Sequence, residues 1–204
     1  MSKTVAATHS QLRDTAKMTT KTLVSCSLLA ALSIVFARFI IPMPSETMRF
    51  SIEALPIVMA GLFFGPVAGL LVGFAADTIG CLFTPYGWNF VFTVPPMLYG
   101  LFGGLLRGLL KRKVDFFRVL GVFLPPAVLG SVLWQSFWLS RLYGTRTFAA
   151  FLSVRAAQFA VTAVVNSLLL FLLFRSGAFK TLQLWPPKAF SSPSVWQKLK
   201  NRKK

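Results

Sequence analysis

The sequence predicts an all-α integral membrane protein with six transmembrane helices and both termini on the cytoplasmic side. Three observations predict it. The 204-residue chain is 55% hydrophobic and only 13% charged, where a soluble domain carries about 25% charged residues. Several apolar runs approach the roughly 20 residues that cross a bilayer. The basic residues behind the net charge of +17 sit in short segments between those runs. Lipid topology explains that placement better than nucleic-acid binding does.

Residues 1–21 form a polar, basic tail. The first apolar run, 22–40, carries Arg38 where a secretory cleavage site would lie, so it reads as a retained helix. Further spans are expected at 53–64, 66–83, 89–110, 117–138 and 149–174. The second is short for a full crossing, and only Gly65-Pro66 separates it from the third. An even number of crossings returns the basic tail 176–204 to the side of the N-terminus. The membrane domain is then 22–175.

Charge orients the spans. Lys3, Arg13, Lys17 and Lys21 precede the first span. A basic cluster from Arg107 to Arg118 surrounds the connection between the fourth and fifth, and more Lys and Arg follow the sixth. The positive-inside bias places all of these on the inner side. The basic residues left for the outer half are Arg38, Arg49, Arg141, Arg146 and Arg155. None is lysine, and arginine grips a carboxylate with a planar fork. Arg38 ends the first span, and Arg49 lies in the first outer loop. Arg155 lies about two turns inside the sixth span, where it either snorkels to the interface or faces a ligand or buried acid. Arg141 and Arg146 read as a solvated loop.

Small residues recur every fourth position at Gly61, Gly65, Gly69 and Gly73, and again at Gly100, Gly104 and Gly108. That spacing puts them on one helix face and lets backbones approach. Asp77 continues the first series, so it points into the bundle and needs a donor there, from an arginine or a ligand. Tyr86 and Trp88 are either interfacial aromatics or stacking platforms for a flat ring. Asn89 and Gln135 can read heteroatoms on such a ring. Pro95-Pro96 and Pro125-Pro126 interrupt two spans, free backbone carbonyls and open room for a cavity.

Other chemistries lack their signatures. Cys26 and Cys81 fall near opposite membrane faces, so a disulfide and a metal site are both disfavoured. His9 sits in the polar tail as a solvated side chain. No phosphate-binding loop, paired carboxylates, Ser/His/Asp set or His/Cys cluster occurs. No inverted repeat of the secondary-transporter kind occurs either. The chain reads as a capture subunit that needs a separate motor; it is not an enzyme and has no cofactor.

The stretch Arg49-Phe50-Ser51-Ile52-Glu53-Ala54-Leu55-Pro56 runs on to Gly61-Leu62-Phe63-Phe64-Gly65-Pro66. With Gly69, Gly73 to Gly80, Leu98-Tyr99-Gly100-Leu101 and the Arg155-led last span, it resembles the substrate-binding S components of energy-coupling-factor (ECF) transporters, folate-type branch. The resemblance covers about 20–175 and is most specific over 46–104. It implies a multi-pass protein of the bacterial cell membrane that captures a vitamin on the outer side. It also implies association with a membrane coupling protein and two cytoplasmic ATPases, and toppling in the membrane to release the load. The family's coupling contact uses small residues spaced by four in the first helix. Here Ser27 and Ala31 hold that spacing, with serine in place of the usual alanine, and Ser33 and Ala37 repeat it. Folate, with two carboxylates and a flat pterin, suits the residues above. The expected roles are Asp77 and Asn89 on the ring, Tyr86 and Trp88 stacking, and Arg38, Arg49 and Arg155 on the anionic end. Three alternatives stay open: another vitamin or a nucleobase-like cargo, a self-sufficient secondary transporter, and a purely structural membrane subunit.

Overall fold

The computed structural model describes residues 20–38, 41–42, 49–50, 52–83, 88–110, 114–143, 148–176 and 179. Each expected span is helical. Helix α1 is Thr20–Arg38, α2 Ala54–Phe64, α3 Pro66–Cys81 and α4 Phe90–Leu105. A short α5, Arg107–Leu110, follows. The next rod runs as α6 (Phe116–Pro126), a π-helical segment (Ala127–Trp134) and α7 (Gln135–Tyr143), and α8 is Phe148–Arg175. Two-residue strands β1 (Ile41–Pro42) and β2 (Arg49–Phe50) pair antiparallel before α2.

Among the described residues, three stretches are long and apolar enough to cross a bilayer: Thr20–Ala37, Phe116–Arg141 and Leu152–Arg175. Helices α2, α3 and α4 are apolar but shorter. At 1.5 Å per residue, α2 is about 16 Å long and α3 and α4 about 24 Å each, against ~30 Å of hydrocarbon. The expected fourth span of 89–110 is broken at Leu106, where α4 ends. The expected fifth span is longer than foreseen, because the π segment carries the rod through the proline pair to Tyr143.

Backbone contact builds the centre. Gly65 has φ +104° and ψ 173°, a conformation essentially confined to glycine. Its N–H donates to Gly61 O at 2.9 Å, and its carbonyl accepts from Gly69 N at 3.0 Å. Pro66 opens α3, where a missing N–H costs nothing. The chain therefore reverses on one residue, and Gly65 belongs to the turn and not to a helix face. Beyond it α3 and α4 run antiparallel. A β-carbon at Gly104 would strike Pro66, one at Gly100 would strike Gly69, and one at Gly73 would strike Pro96. Gly61 of α2 meets Gly100 and Gly104 in the same way.

The prolines have local consequences. Pro125 and Pro126 remove two N–H donors in succession, and the wide π register takes over directly after them. Pro95 removes the donor that Val91 O would meet in α4. The indole Nε1 of Trp134 supplies it instead, at 3.0 Å. Apolar packing fills the rest: Val58, Leu62, Val119, Val122, Phe123 and Leu170 are buried. Phe179 closes one end, its ring centroid 4.9 Å from Phe63 and 4.8 Å from Phe174.

The glycine seam gives a sign test. Gly100→Ala should destabilise the chain by about 1–3 kcal/mol through overpacking. Gly121→Ala, in α6 with nothing within 4 Å of a new β-carbon, should stabilise it by up to ~1 kcal/mol. Thermal unfolding of both variants in detergent checks the pair.

Candidate functional site

Polar side chains gather towards the end of the bundle where α3 passes to α4 and α7 to α8. The antiparallel register of α3 and α4 decides the first group. One turn beyond the Gly73–Pro96 contact, Asp77 stands across from Thr93. The Thr93 hydroxyl is within hydrogen-bonding reach of the Asp77 carboxylate, and it also lies 3.4 Å from Asn89 O. Cys81 Sγ, one turn along α3, lies 4.0 Å from Asp77 Oδ2 as a weak donor. Asp77 thus faces its neighbouring helix, as its spacing predicts, but its donor is a threonine on α4 and not an arginine. Thr93 is fully buried. The same arithmetic could have found it, since Thr93 lies seven residues before Gly100 on the glycine face of α4.

The second group crosses the bundle as a layer. Ser33 of α1 donates to Glu53 O at 2.8 Å. The Glu53 carboxylate is within electrostatic reach of the Tyr99 hydroxyl, which shares a hydrogen bond with the Ser131 side chain. Ser131 lies in the π segment, and its carbonyl accepts from Arg155 Nη1 at 3.4 Å. The same Nη1 donates to Gln135 Oε1 at 2.6 Å. The Arg155 Cζ lies 6.0 Å from the Phe159 ring centroid. Arg155 therefore points towards α7 and the π segment, half-buried, with an amide oxygen and a carbonyl as partners and no carboxylate among them. Below it, the same face of α8 carries Gln158, Thr162 and Asn166, all buried. Thr162 Oγ1 donates to Gln158 O and Asn166 Nδ2 to Thr162 O, each at 2.9 Å.

The remaining expectations divide. Asn89 is the N-cap of α4, its Oδ1 accepting from Val91 N at 3.0 Å. Only its amide NH2 is left to read a ring. Trp88 is 50% exposed and meets Phe90 edge to face at 6.4 Å. Arg141 is exposed, its Cζ 5.7 Å from the Phe137 ring centroid. Tyr86, Arg146 and the side chains of Arg38 and Arg49 lie outside the described residues. On α1, Ser27 and Ala31 share an exposed face with Leu28 and Leu32, and Ser27 Oγ turns back onto Leu23 O at 3.0 Å. Ser33, which repeats the four-residue spacing with Ala37, lies on a different face. It is buried, because six residues rotate it by roughly 240° from Ser27. Missed from sequence were Thr93, Tyr99 and Ser131 as polar partners. Gln135, read as a ring contact, instead holds Arg155.

The described residues form a membrane helix bundle with an acid and an arginine held towards one end, an arrangement suited to binding a small molecule. A family model described as "ECF-type riboflavin transporter, S component" matches residues 17–175. The chain belongs to the S components of ECF-type transporters, and it is a multi-pass membrane protein. It is 30% identical over 142 residues to the folate transporter FolT of Clostridium novyi, covering 66% of this chain and 78% of that protein. It is 30% identical over 118 residues to the uncharacterized protein MG313 homolog of Mycoplasma pneumoniae, covering 54% of this chain. The chain spans about half the length of the mycoplasma relatives it matches, 41% of one and 56% of another. The crystal structure of FolT bound with folic acid superposes with a TM-score of 0.64 at 25% identity, over 76% of this chain and 92% of that one.

Two variants separate cap from contact. Asn89→Ala should lower thermal stability by ~1 kcal/mol, while Asn89→Asp, which also caps, should stay within a few tenths. Thr93→Val leaves the Asp77 carboxylate without its threonine donor and should cost about 1–3 kcal/mol. Adding Asp77→Asn to Thr93→Val should recover part of that loss in a double-mutant cycle.

Proposed function

We propose that the chain captures folate or a reduced folate on the outer face of a bacterial cell membrane, as the S component of an ECF importer. The observation that carries this reading is Arg155. Its charge lies inside a membrane helix, and among the described residues it is met by two neutral oxygens. Interhelical hydrogen bonds in membranes return about 0.6–1.7 kcal/mol. A charge at the bilayer centre costs roughly 2.5–3.5 kcal/mol, less towards the interface. A ligand carboxylate makes up the difference better than another neutral group does. Asp77, held by Thr93, accepts from the amino and ring N–H groups of a pterin. Arg38 and Arg49 take the second carboxylate, Tyr86 and Trp88 flank the flat ring, and the Asn89 amide adds a donor at its edge. Similarity to FolT of Clostridium novyi and to the folic acid complex supports the cargo.

The reading places six spans in the membrane with both termini in the cytoplasm. The short helices α2, α3 and α4 are then packed in the interior of the bundle, where the bilayer need not be matched residue for residue. The exposed face of α1 bearing Ser27 and Ala31 docks on the membrane coupling protein, and two cytoplasmic ATPases supply the energy. The basic tail from 176 lies against anionic lipid. The riboflavin description of the matching family favours a second reading. A neutral isoalloxazine would use Asp77 and the aromatic side chains and leave Arg155 with no carboxylate to bind.

Titration of the purified full chain in detergent separates the two cargoes. Folate should bind well ahead of riboflavin. Asp77→Ala should weaken folate by at least ~100-fold, and Arg155→Lys, which keeps charge but not the fork, by about 10-fold. Riboflavin binding that is tighter than folate and indifferent to Arg155→Lys would transfer the chain to the second cargo.

A further inference from the structure

Among the described residues, Arg155 spends one corner of its guanidinium on the protein. Both of its hydrogen bonds leave from Nη1, to Gln135 Oε1 at 2.6 Å and to Ser131 O at 3.4 Å. Nη1 carries two hydrogens, so these two acceptors account for it. The Nε–H and the Nη2 hydrogens form the side-on fork of the guanidinium, which matches the two oxygens of a carboxylate. Neither Nε nor Nη2 meets an acceptor among the described residues. These contacts fix the plane and direction of the group and, among the described residues, leave its bidentate edge open.

Both acceptors are neutral. Ser131 offers its carbonyl from the π segment, and the wide turn there follows directly from the proline pair. Gln135 opens the next helix, one turn along the same rod. A glutamate at 135 would fit the same space and would make a charge-assisted pair with Nη1. It would also cancel the positive charge before any anion arrived.

We propose that Gln135 is a specificity-determining positioning residue for the cargo. It orients Arg155 through Nη1, presents the Nε/Nη2 fork to one carboxylate of the vitamin, and leaves the positive charge uncompensated. The role rests on the reading of the cargo as a carboxylate-bearing vitamin of the folate type.

The full-length chain in detergent can be titrated with two probes, folate and its diamide, in which both glutamate carboxylates are neutralised. Wild type should prefer folate. Gln135→Glu should weaken folate roughly 10- to 100-fold. Its affinity for the diamide should stay within about twofold, so that the preference collapses. Gln135→Met, of similar length and without an oxygen, should lower the folate preference in the same direction, and it serves if the glutamate variant fails to fold. Equal weakening of both probes, or an unchanged folate preference in either variant, would show that Gln135 only packs, while folate capture stands. Wild-type chain that binds neither probe would overturn the cargo reading itself and the Gln135 role with it.

Discussion

Helices in lipid gain little from hiding apolar surface, because lipid tails are as apolar as leucine, and they associate through close packing. In this chain that packing is backbone against backbone. Gly61, Gly69, Gly73, Gly100 and Gly104 have no β-carbon to keep α2, α3 and α4 apart, and the contacts fall at Gly104–Pro66, Gly100–Gly69 and Gly73–Pro96. Such a seam does not slide, since the next register would drive a side chain into a carbonyl. The register then carries one turn further and delivers Asp77 to Thr93. A half-buried carboxylate that would otherwise be costly is tolerated because the glycines hold its donor opposite.

The other half of the site rests on irregular backbone. Proline pairs in α4 and α6 each break the regular ladder of hydrogen bonds. Trp134 takes the carbonyl that Pro95 leaves open. The π segment that follows Pro125-Pro126 carries Ser131, which Tyr99 meets from one side and Arg155 from the other. A polar layer from Tyr99 through Ser131 and Arg155 to Gln135 thus links α4, the π segment, α8 and α7 at one level of the bundle. At its arginine end the described residues supply two neutral oxygens to Nη1 alone, and an anionic cargo would relieve that imbalance.

The two groups are physically distinct. Asp77 and Thr93 belong to the tightest pair of helices, whereas Arg155 belongs to the contact of α8 with the π segment and α7. A flat ligand with hydrogen-bond donors at one end and carboxylates at the other has a use for both. The exposed face of α1 is separate again: Ser27, Leu28, Ala31 and Leu32 turn away from the core that Cys26 and Ala30 enter.

Sequence alone determined the helical class, the order and limits of most helices, and the inward direction of Asp77, because four-residue spacing, apolar run length and charge placement are properties of one segment at a time. It also carried the family, through the motif from Arg49 to Pro66 and the glycines beyond. Tertiary structure alone decided which donor Asp77 meets and that Gln135 holds Arg155 by a single nitrogen. Those facts depend on how two segments register against each other, and no periodicity within either segment encodes the offset.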